Sequence, residues 1–166
     1  KDNILKPLGL ENINFTQPTP ETVEEMALPY KLAYNNAFPE EQLFSEIYPA
    51  GGLTYLTPSQ MSKFLIAHLN NGLFSGNRLL SSELMGLFHE TSFGHEYYGL
   101  GIGIEKKNNY VYLFHSGLQL GYVATFKINL NSKTGVYLMA NTIAEQHLNA
   151  LAELATELMD GKRDFT

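Results

Sequence analysis

Four strand-like segments joined by short turns constrain the fold of this chain more than any other feature. From Tyr98 onward, apolar residues recur at every second position, which is typical of a β-strand. Three further segments are rich in β-branched and aromatic residues: Tyr110–Ser116, Tyr122–Asn129 and Gly135–Asn141. The turns between them are too short for a crossover connection, so the segments predict an antiparallel meander. Much of each segment is apolar on both faces, which predicts a sheet covered on both sides.

The first of these segments carries a glycine at every second position. Leu100, Ile102 and Ile104 are predicted to share one face of the strand, with the intervening glycines on the other. Because a glycine has no side chain, another part of the chain can pack closely against that face. The strand is predicted to end in a hairpin turn at Lys106–Asn109.

Helix signals precede the sheet segments. Residues Thr57–Gln60 have the sequence of a capping box with proline at the first helical position, which predicts a helix start. Asn71-Gly72 is predicted to end this helix. A shorter helix is predicted from Ser81 or Ser82 to Phe88. The prolines scattered through residues 1–48 predict irregular structure there.

A further helix is predicted to close the chain after the last strand. Thr142 and Glu145 are expected to form a second capping box, and Gly161 is expected to end the helix. A helix directly after a meander usually lies across one face of the sheet. The predicted fold class is therefore α/β, of the α+β type: an antiparallel meander with a packed C-terminal helix.

Composition excludes several classes of function. A net charge of -6 without a cluster of Lys or Arg argues against a nucleic-acid surface. No apolar run approaches the ~20 residues of a membrane-spanning helix. The absence of cysteine excludes disulfides, thiolate metal sites and a cysteine nucleophile. No pair of histidines has metal-site spacing, and the sequence predicts no metal and no cofactor. The chain starts at Lys1 without Met, which is consistent with removal of an upstream segment.

The candidate site follows the apolar run that begins at Tyr110. His115, Ser116 and Gly117 stand at the predicted end of that strand, and a short glycine-closed turn follows them. Gly117 lets a ligand approach the backbone, and Leu118 can then present a free N–H. A strand ending in a titratable ring, a hydroxyl and an open amide can line a site. The remaining histidines are interpreted as surface or packing residues: His68, His89, His95 and His147.

Two other motifs resemble functional sites but are explained by structure. The glycines of Gly99–Gly103 do not have the G-x-G-x-x-G spacing and lie inside a predicted strand, so a phosphate-binding role is rejected. Ser132-Lys133-Thr134-Gly135 contains the K-T-G letters of penicillin-recognising enzymes. It lies in a polar stretch between two predicted strands, and its residues are those of a hairpin turn.

Several short motifs follow one another in a recognisable order. They are Pro7-Leu8-Gly9-Leu10, Pro49-Ala50-Gly51-Gly52-Leu53, the capped helix, Tyr98-Gly99-Leu100-Gly101, His115-Ser116-Gly117 with Gly121-Tyr122, and Ala140-Asn141-Thr142. This order resembles that of the serine β-lactamase / D-Ala-D-Ala carboxypeptidase family, which includes penicillin-binding proteins. The strongest likeness is to its class C-like DD-peptidase and esterase branch, and it spans nearly the whole chain.

That resemblance implies roles for the candidate site residues. The family uses S-x-x-K, Y-x-N and a strand motif K-T-G or H-[ST]-G, and His115-Ser116-Gly117 resembles the third. It implies that Ser116 Oγ holds the substrate carboxylate, with Gly117 in the same substrate-binding strand. His115 would be a catalytic polar or cationic partner of the base and of the substrate carboxylate, and the Leu118 N–H would be an oxyanion-hole donor.

The chain departs from the family pattern because no serine begins an S-x-x-K motif. The resemblance places both S-x-x-K and Y-x-N before Lys1, and both are taken to be absent here. It therefore implies the C-terminal half of such an enzyme. Residues 1–95 would be a remnant of the helical subdomain with loops, and residues 96–166 the sheet and C-terminal helix. Together they would make one partial domain.

The expected function is that of part of a penicillin-recognising serine hydrolase, a D-Ala-D-Ala carboxypeptidase, β-lactamase or esterase with acyl-enzyme chemistry, inactive by itself. The alternative is a non-catalytic ligand-binding or interaction module on the same fold. Without the family's other strands, Val136–Met139 is expected to form an uncovered apolar edge, and one sheet face is expected to be bare. The expected partner is the missing half or a second copy, with a small peptide, β-lactam or ester as substrate. The resemblance implies an extracytoplasmic location.

Overall fold

A computed structural model of the chain describes residues 1–13, 18–42, 44, 55–92, 94–119 and 121–162. Its helices are α1 (Pro20–Glu25), α2 (Pro58–Leu69), α3 (Ser82–Phe88) and α4 (Glu145–Met159). Its strands are β1 (Tyr30–Ala33), β2 (Asn36–Pro39), β3 (Leu73–Phe74), β4 (Asn77–Arg78), β5 (Gly103–Lys107), β6 (Tyr110–Gln119), β7 (Tyr122–Asn129) and β8 (Thr134–Ala140). The Pro49–Leu53 motif lies outside the described residues.

The predicted antiparallel meander is confirmed. Strands β5, β6, β7 and β8 form one sheet in that order, and each pairs antiparallel with the next. Asn108 and Asn109 form the β5–β6 turn, with φ angles of 51° and 65°. Asparagine tolerates this left-handed conformation better than most residues, which explains its use in a tight hairpin. The hairpin turn predicted at Ser132–Gly135 is confirmed for Ser132 and Lys133, which connect β7 to β8, whereas Thr134 and Gly135 are the first residues of β8.

The first strand of the sheet is shorter than its sequence pattern predicts. β5 begins only at Gly103, because Gly99 donates a hydrogen bond to the carbonyl of Ile102 (2.8 Å) and Gly101 has a φ of 76°. This turn leaves Leu100 41% exposed, whereas Ile102 is buried, so the prediction that they share one face is wrong. The expected close packing does occur at Gly103, where an added Cβ would lie 2.5 Å from the ring of Phe114.

The helices α2 and α3 form where their caps predict. The Thr57 side chain accepts a hydrogen bond from the Gln60 N–H, and the Gln60 side chain accepts one from the Thr57 N–H, which completes the capping box. Ser81 caps α3 in the same way by accepting from the Leu84 N–H. Satisfying these backbone donors fixes where each helix begins.

The start of α4 differs from its prediction. Its N-cap is Ala144, and no side chain makes a capping hydrogen bond there. Thr142 therefore forms no capping box with Glu145, and its hydroxyl is buried without a hydrogen-bond partner. The Glu145 side chain is engaged elsewhere, by Ser116 on the sheet.

Residues 1–48 contain more regular structure than their prolines predict. Thr19 caps α1, and Pro20 takes its first position, where a missing N–H costs nothing. The strands β1 and β2 form a hairpin whose turn residues, Tyr34 and Asn35, both have positive φ angles. Turn chemistry thus outweighs the proline signal in this segment.

Helices cover both faces of the sheet. On one face Leu65 of α2 packs in a buried cluster with Ile104, Leu113 and Ile128. On the other face α4 lies against β7 and β8, with Leu148 among its buried residues. The expectation of a wholly bare face is therefore wrong, because α2 already covers part of it. β8 is an edge strand of this sheet, and Met139 on it is 44% exposed.

The Asp160 carboxylate ties the end of α4 to the β7–β8 end of the sheet. Its side chain is 1% exposed. It accepts hydrogen bonds from Tyr112, Asn129, Ser132, Thr134 and Lys162. Burial by itself would raise the pKa of Asp160, but these hydrogen bonds outweigh it and lower the pKa to about 2. The K-T-G letters of this chain thus lie where the β7–β8 turn enters β8, next to a turn that an ionised carboxylate holds.

Candidate functional site

The candidate site lies in the last part of β6, beyond the reach of β5. Gly103, the first residue of β5, pairs with Phe114. The following residues of β6 therefore pair with β7 alone, Ser116 opposite Thr125 and Leu118 opposite Val123. β6 runs to Gln119 rather than ending at Ser116 as predicted, so the site is inside a strand and not in a turn.

The hydrogen-bond alternation along β6 decides where the Leu118 N–H points. The Leu130 N–H donates to the Val111 carbonyl at 3.0 Å, so odd-numbered residues of β6 exchange hydrogen bonds with β7. In an antiparallel ladder, the residues between them direct their N–H groups to the other side. The Leu118 N–H therefore points to the side that β5 does not reach. This is the orientation that an oxyanion-hole donor needs.

His115 lies on the face of the sheet that α2 covers. Its Nε2 lies 3.0 Å from the Tyr98 hydroxyl, and the two form a hydrogen bond. The His115 side chain is otherwise exposed. The Tyr98 partner fixes one ring nitrogen, which leaves Nδ1 for another group.

Ser116 points to the opposite face, toward α4. Its Oγ donates a hydrogen bond to Glu145 Oε1 at 2.8 Å. Adjacent residues of a strand alternate between faces, so His115 and Ser116 share an edge of the sheet and not a face. An added Cβ at Gly117 would meet no atom within 4 Å, so the backbone there is open to approach. The roles of His115, Ser116, Gly117 and Leu118 remain predictions.

Two site neighbours were not anticipated from the sequence. Tyr98 belongs to a stretch predicted as a strand, and Glu145 was expected in a capping box. Both reach the site across long separations in the chain, 17 residues for Tyr98–His115 and 29 for Ser116–Glu145. Neither contact has a local sequence signal.

A second pair of histidines also comes together only in the fold. His68 Nδ1 and His89 Nε2 lie 3.2 Å apart, and His68 is buried in α2. Burial and then the neighbouring His89 lower the pKa of His68 from 6.5 to about 4. The prediction of a satisfied packing residue is confirmed for His68.

The chain does contain the Y-x-N letters, contrary to the expectation that they are absent. They occur at Tyr34-Asn35-Asn36, where Tyr34 and Asn35 form the turn of the β1–β2 hairpin. The Tyr34 side chain is 94% exposed. A catalytic base has to lie within hydrogen-bond reach of the reacting group, whereas this side chain lies almost wholly in solvent. We interpret the match as hairpin chemistry.

In the described ranges, no three or more His, Asp or Glu side chains come together in a way that could hold a metal ion. Among the helices of those same ranges, none is long and apolar enough to cross a membrane.

Comparisons with known proteins place this geometry in context. A family model described as "Beta-lactamase" matches residues 1–158. Beta-lactamase-like protein 1 of Dictyostelium discoideum is 40% identical over 78 residues, which are 46% of this chain and 12% of that protein.

A solved structure extends the likeness to nearly the whole chain. The octameric penicillin-binding protein homologue from Pyrococcus abyssi superposes with a TM-score of 0.73 over 98% of this chain, at 20% sequence identity. The matched part is 37% of that relative's chain. At this identity the match shows a shared fold, and this chain spans well under half the length of either relative.

Proposed function

The chain belongs to the beta-lactamase family, and we propose that it forms one wall of a serine-hydrolase active site. The wall is the part of β6 from His115 to Leu118. The observation that carries the proposal is the Leu118 N–H, which points to the side of the strand that β5 leaves unpaired, because β5 begins only at Gly103 opposite Phe114. A backbone donor held rigidly in a strand stabilises the oxyanion of acyl-transfer chemistry.

The proposed reaction is acyl transfer from a small peptide, β-lactam or ester to a serine that lies outside these 166 residues. No serine of this sequence begins an S-x-x-K motif. The chain would therefore be inactive by itself and act together with a polypeptide segment that supplies this serine, whereas another copy of the chain could only cover its exposed surfaces. The edge strand β8, with half-exposed Met139, offers a surface for such a partner. An extracytoplasmic location is part of this proposal and rests on the family alone.

The partner component can be tested by light scattering at micromolar concentration. We expect a dimer, a higher oligomer, or a complex with a segment that carries S-x-x-K and Y-x-N. The Pyrococcus relative is itself described as octameric. A monomer at this concentration that also fails to bind a segment carrying S-x-x-K and Y-x-N would contradict the proposed partner.

The catalytic component can be tested by reconstituting the chain with an upstream segment that carries S-x-x-K and Y-x-N. We expect turnover of a chromogenic β-lactam or ester by the mixture and none by the chain alone. Leu118→Pro removes the N–H on the side away from β7, and we expect a rate loss of about 10²–10³-fold. Leu118→Ala keeps the N–H and serves as the matched control. Equal rates for the two variants would refute the oxyanion role.

A second candidate function is a binding module on the same fold, and the missing S-x-x-K serine favours it. It predicts that ligands bind at β6 without covalent labelling. An open reading frame upstream of Lys1 without both motifs would favour this alternative. Turnover that survives Ser116→Ala and His115→Ala would show that neither description has the right site.

A further inference from the structure

The Glu145 carboxylate lies against the Ser116 hydroxyl, the group that the family resemblance assigns to binding the substrate carboxylate. Glu145 Oε1 accepts a hydrogen bond from the Ser116 hydroxyl at 2.8 Å. Glu145 is the first residue of α4, where no side chain caps the helix. A negative charge is favoured at this end of a helix, so the position suits the side chain of Glu145.

The hydrogen bond changes what Ser116 can offer a ligand. A serine hydroxyl has one proton to donate and otherwise only lone pairs. Because the Ser116 hydroxyl already donates its one hydrogen bond to Glu145, Ser116 Oγ can accept a hydrogen bond from a ligand but cannot donate one. A substrate carboxylate has no proton to give, and its charge would lie beside that of Glu145. Both effects disfavour a carboxylate at this position.

The lysine on this face of the sheet that could neutralise Glu145 is already paired with other carboxylates. Lys127 of β7 shares this face of the sheet, but its ammonium pairs with Glu105 at 2.6 Å and with Glu153. His115 points to the other face, where it bonds Tyr98. These two groups therefore leave the Ser116–Glu145 pair with its negative charge.

We propose that Glu145 makes Ser116 select a neutral or cationic hydrogen-bond donor in place of a carboxylate. The substrate class is then an ester or amide that presents an amide N–H, a hydroxyl or an ammonium group to Ser116. This inference rests on the proposed function, because it concerns the same wall of the same site.

The test compares two probes that differ in one group: N-acetyl-D-alanyl-D-alanine and its C-terminal amide. Their binding to the ¹⁵N-labelled chain, reconstituted with the segment that carries S-x-x-K and Y-x-N, is followed through the amide resonances of Ser116–Leu118. We expect the amide to bind at least about fivefold more tightly than the carboxylate, the effect of like charges about 4 Å apart when bulk water screens them. Glu145→Gln should remove this preference. Glu83→Gln makes the same charge change in the first turn of α3 and should leave the preference unchanged.

The outcomes separate the inference from the function on which it rests. Tighter binding of the carboxylate probe, or a preference that survives Glu145→Gln, overturns the role of Glu145 while the site stands. Equal loss of preference in the Glu83→Gln control also overturns it, because a general charge effect would then explain the result. The absence of resonance shifts with either probe in every variant removes the site and the inference together.

Discussion

Replacing Asp160 with asparagine tests whether one buried carboxylate holds the end of α4 on the sheet. Its side chain is 1% exposed, and donors from β6, β7, the β7–β8 turn and the residues after α4 surround it. Asp160→Asn keeps the shape but removes the charge and places an NH₂ donor among these donors. We therefore expect the variant to fold but to be less stable.

The lowered pKa of Asp160 sets the size of the expected stability loss. Folding lowers it from 3.8 to about 2, and each pKa unit corresponds to about 1.4 kcal/mol. Lys162 is partly exposed, and solvent screens its share of the attraction, so we expect a loss of about 1–2 kcal/mol at pH 7. Because the folded pKa is depressed, this contribution is fully present above pH 3.8 and disappears as the pH falls toward 2.

Urea unfolding at pH 7, 5 and 3 provides the assay. The stability gap between the wild type and Asp160→Asn should be the same at pH 7 and 5 and should narrow at pH 3. Asp2→Asn changes an exposed aspartate in the N-terminal segment and is the matched control. The reasoning is refuted if the gap at pH 7 is below about 0.5 kcal/mol, the usual range of surface substitutions, or if it is unchanged at pH 3.

Three further predictions concern burial, packing and the site. The folded pKa of His68 is about 4, below its ordinary value of 6.5. The free energy of unfolding should therefore be highest above pH 6.5 and fall by up to about 3 kcal/mol toward pH 4. In urea titrations, His68→Phe should flatten this pH profile, and the control His147→Phe should not. Gly103→Ala should lower the free energy of unfolding by about 1–3 kcal/mol, since its Cβ would lie 2.5 Å from Phe114. Gly86→Ala in α3 has open space around it and should raise the free energy of unfolding by about 0.5–1 kcal/mol. Thermal unfolding measures both changes. Tyr98→Phe should change the tautomer of His115 seen by ¹⁵N NMR, because the hydrogen bond to Nε2 is lost; an unchanged spectrum would contradict the contact.

Local chemistry explains why much of the fold could be predicted. The caps at Thr57 and Ser81 and the strand β7 depend on residues a few positions apart, and each formed where its pattern indicated. The pattern failed at Tyr98–Ile102, where alternation of apolar residues with glycines allowed a turn as readily as a strand. Glycine accepts both conformations, so periodicity alone did not discriminate between them.

The sequence by itself determined the antiparallel meander, its turns and the strand that carries His115-Ser116-Gly117, because alternation and turn chemistry are short-range properties. The tertiary structure decided what each site residue faces. Pairing with β7 extends β6 to Gln119, so Gly117 and Leu118 lie inside the strand, beyond the part of β6 that pairs with β5. Only the packing of α4 on the sheet brings Glu145 to Ser116. Contacts between residues distant in the chain arise from the way whole elements pack, and no local pattern encodes them.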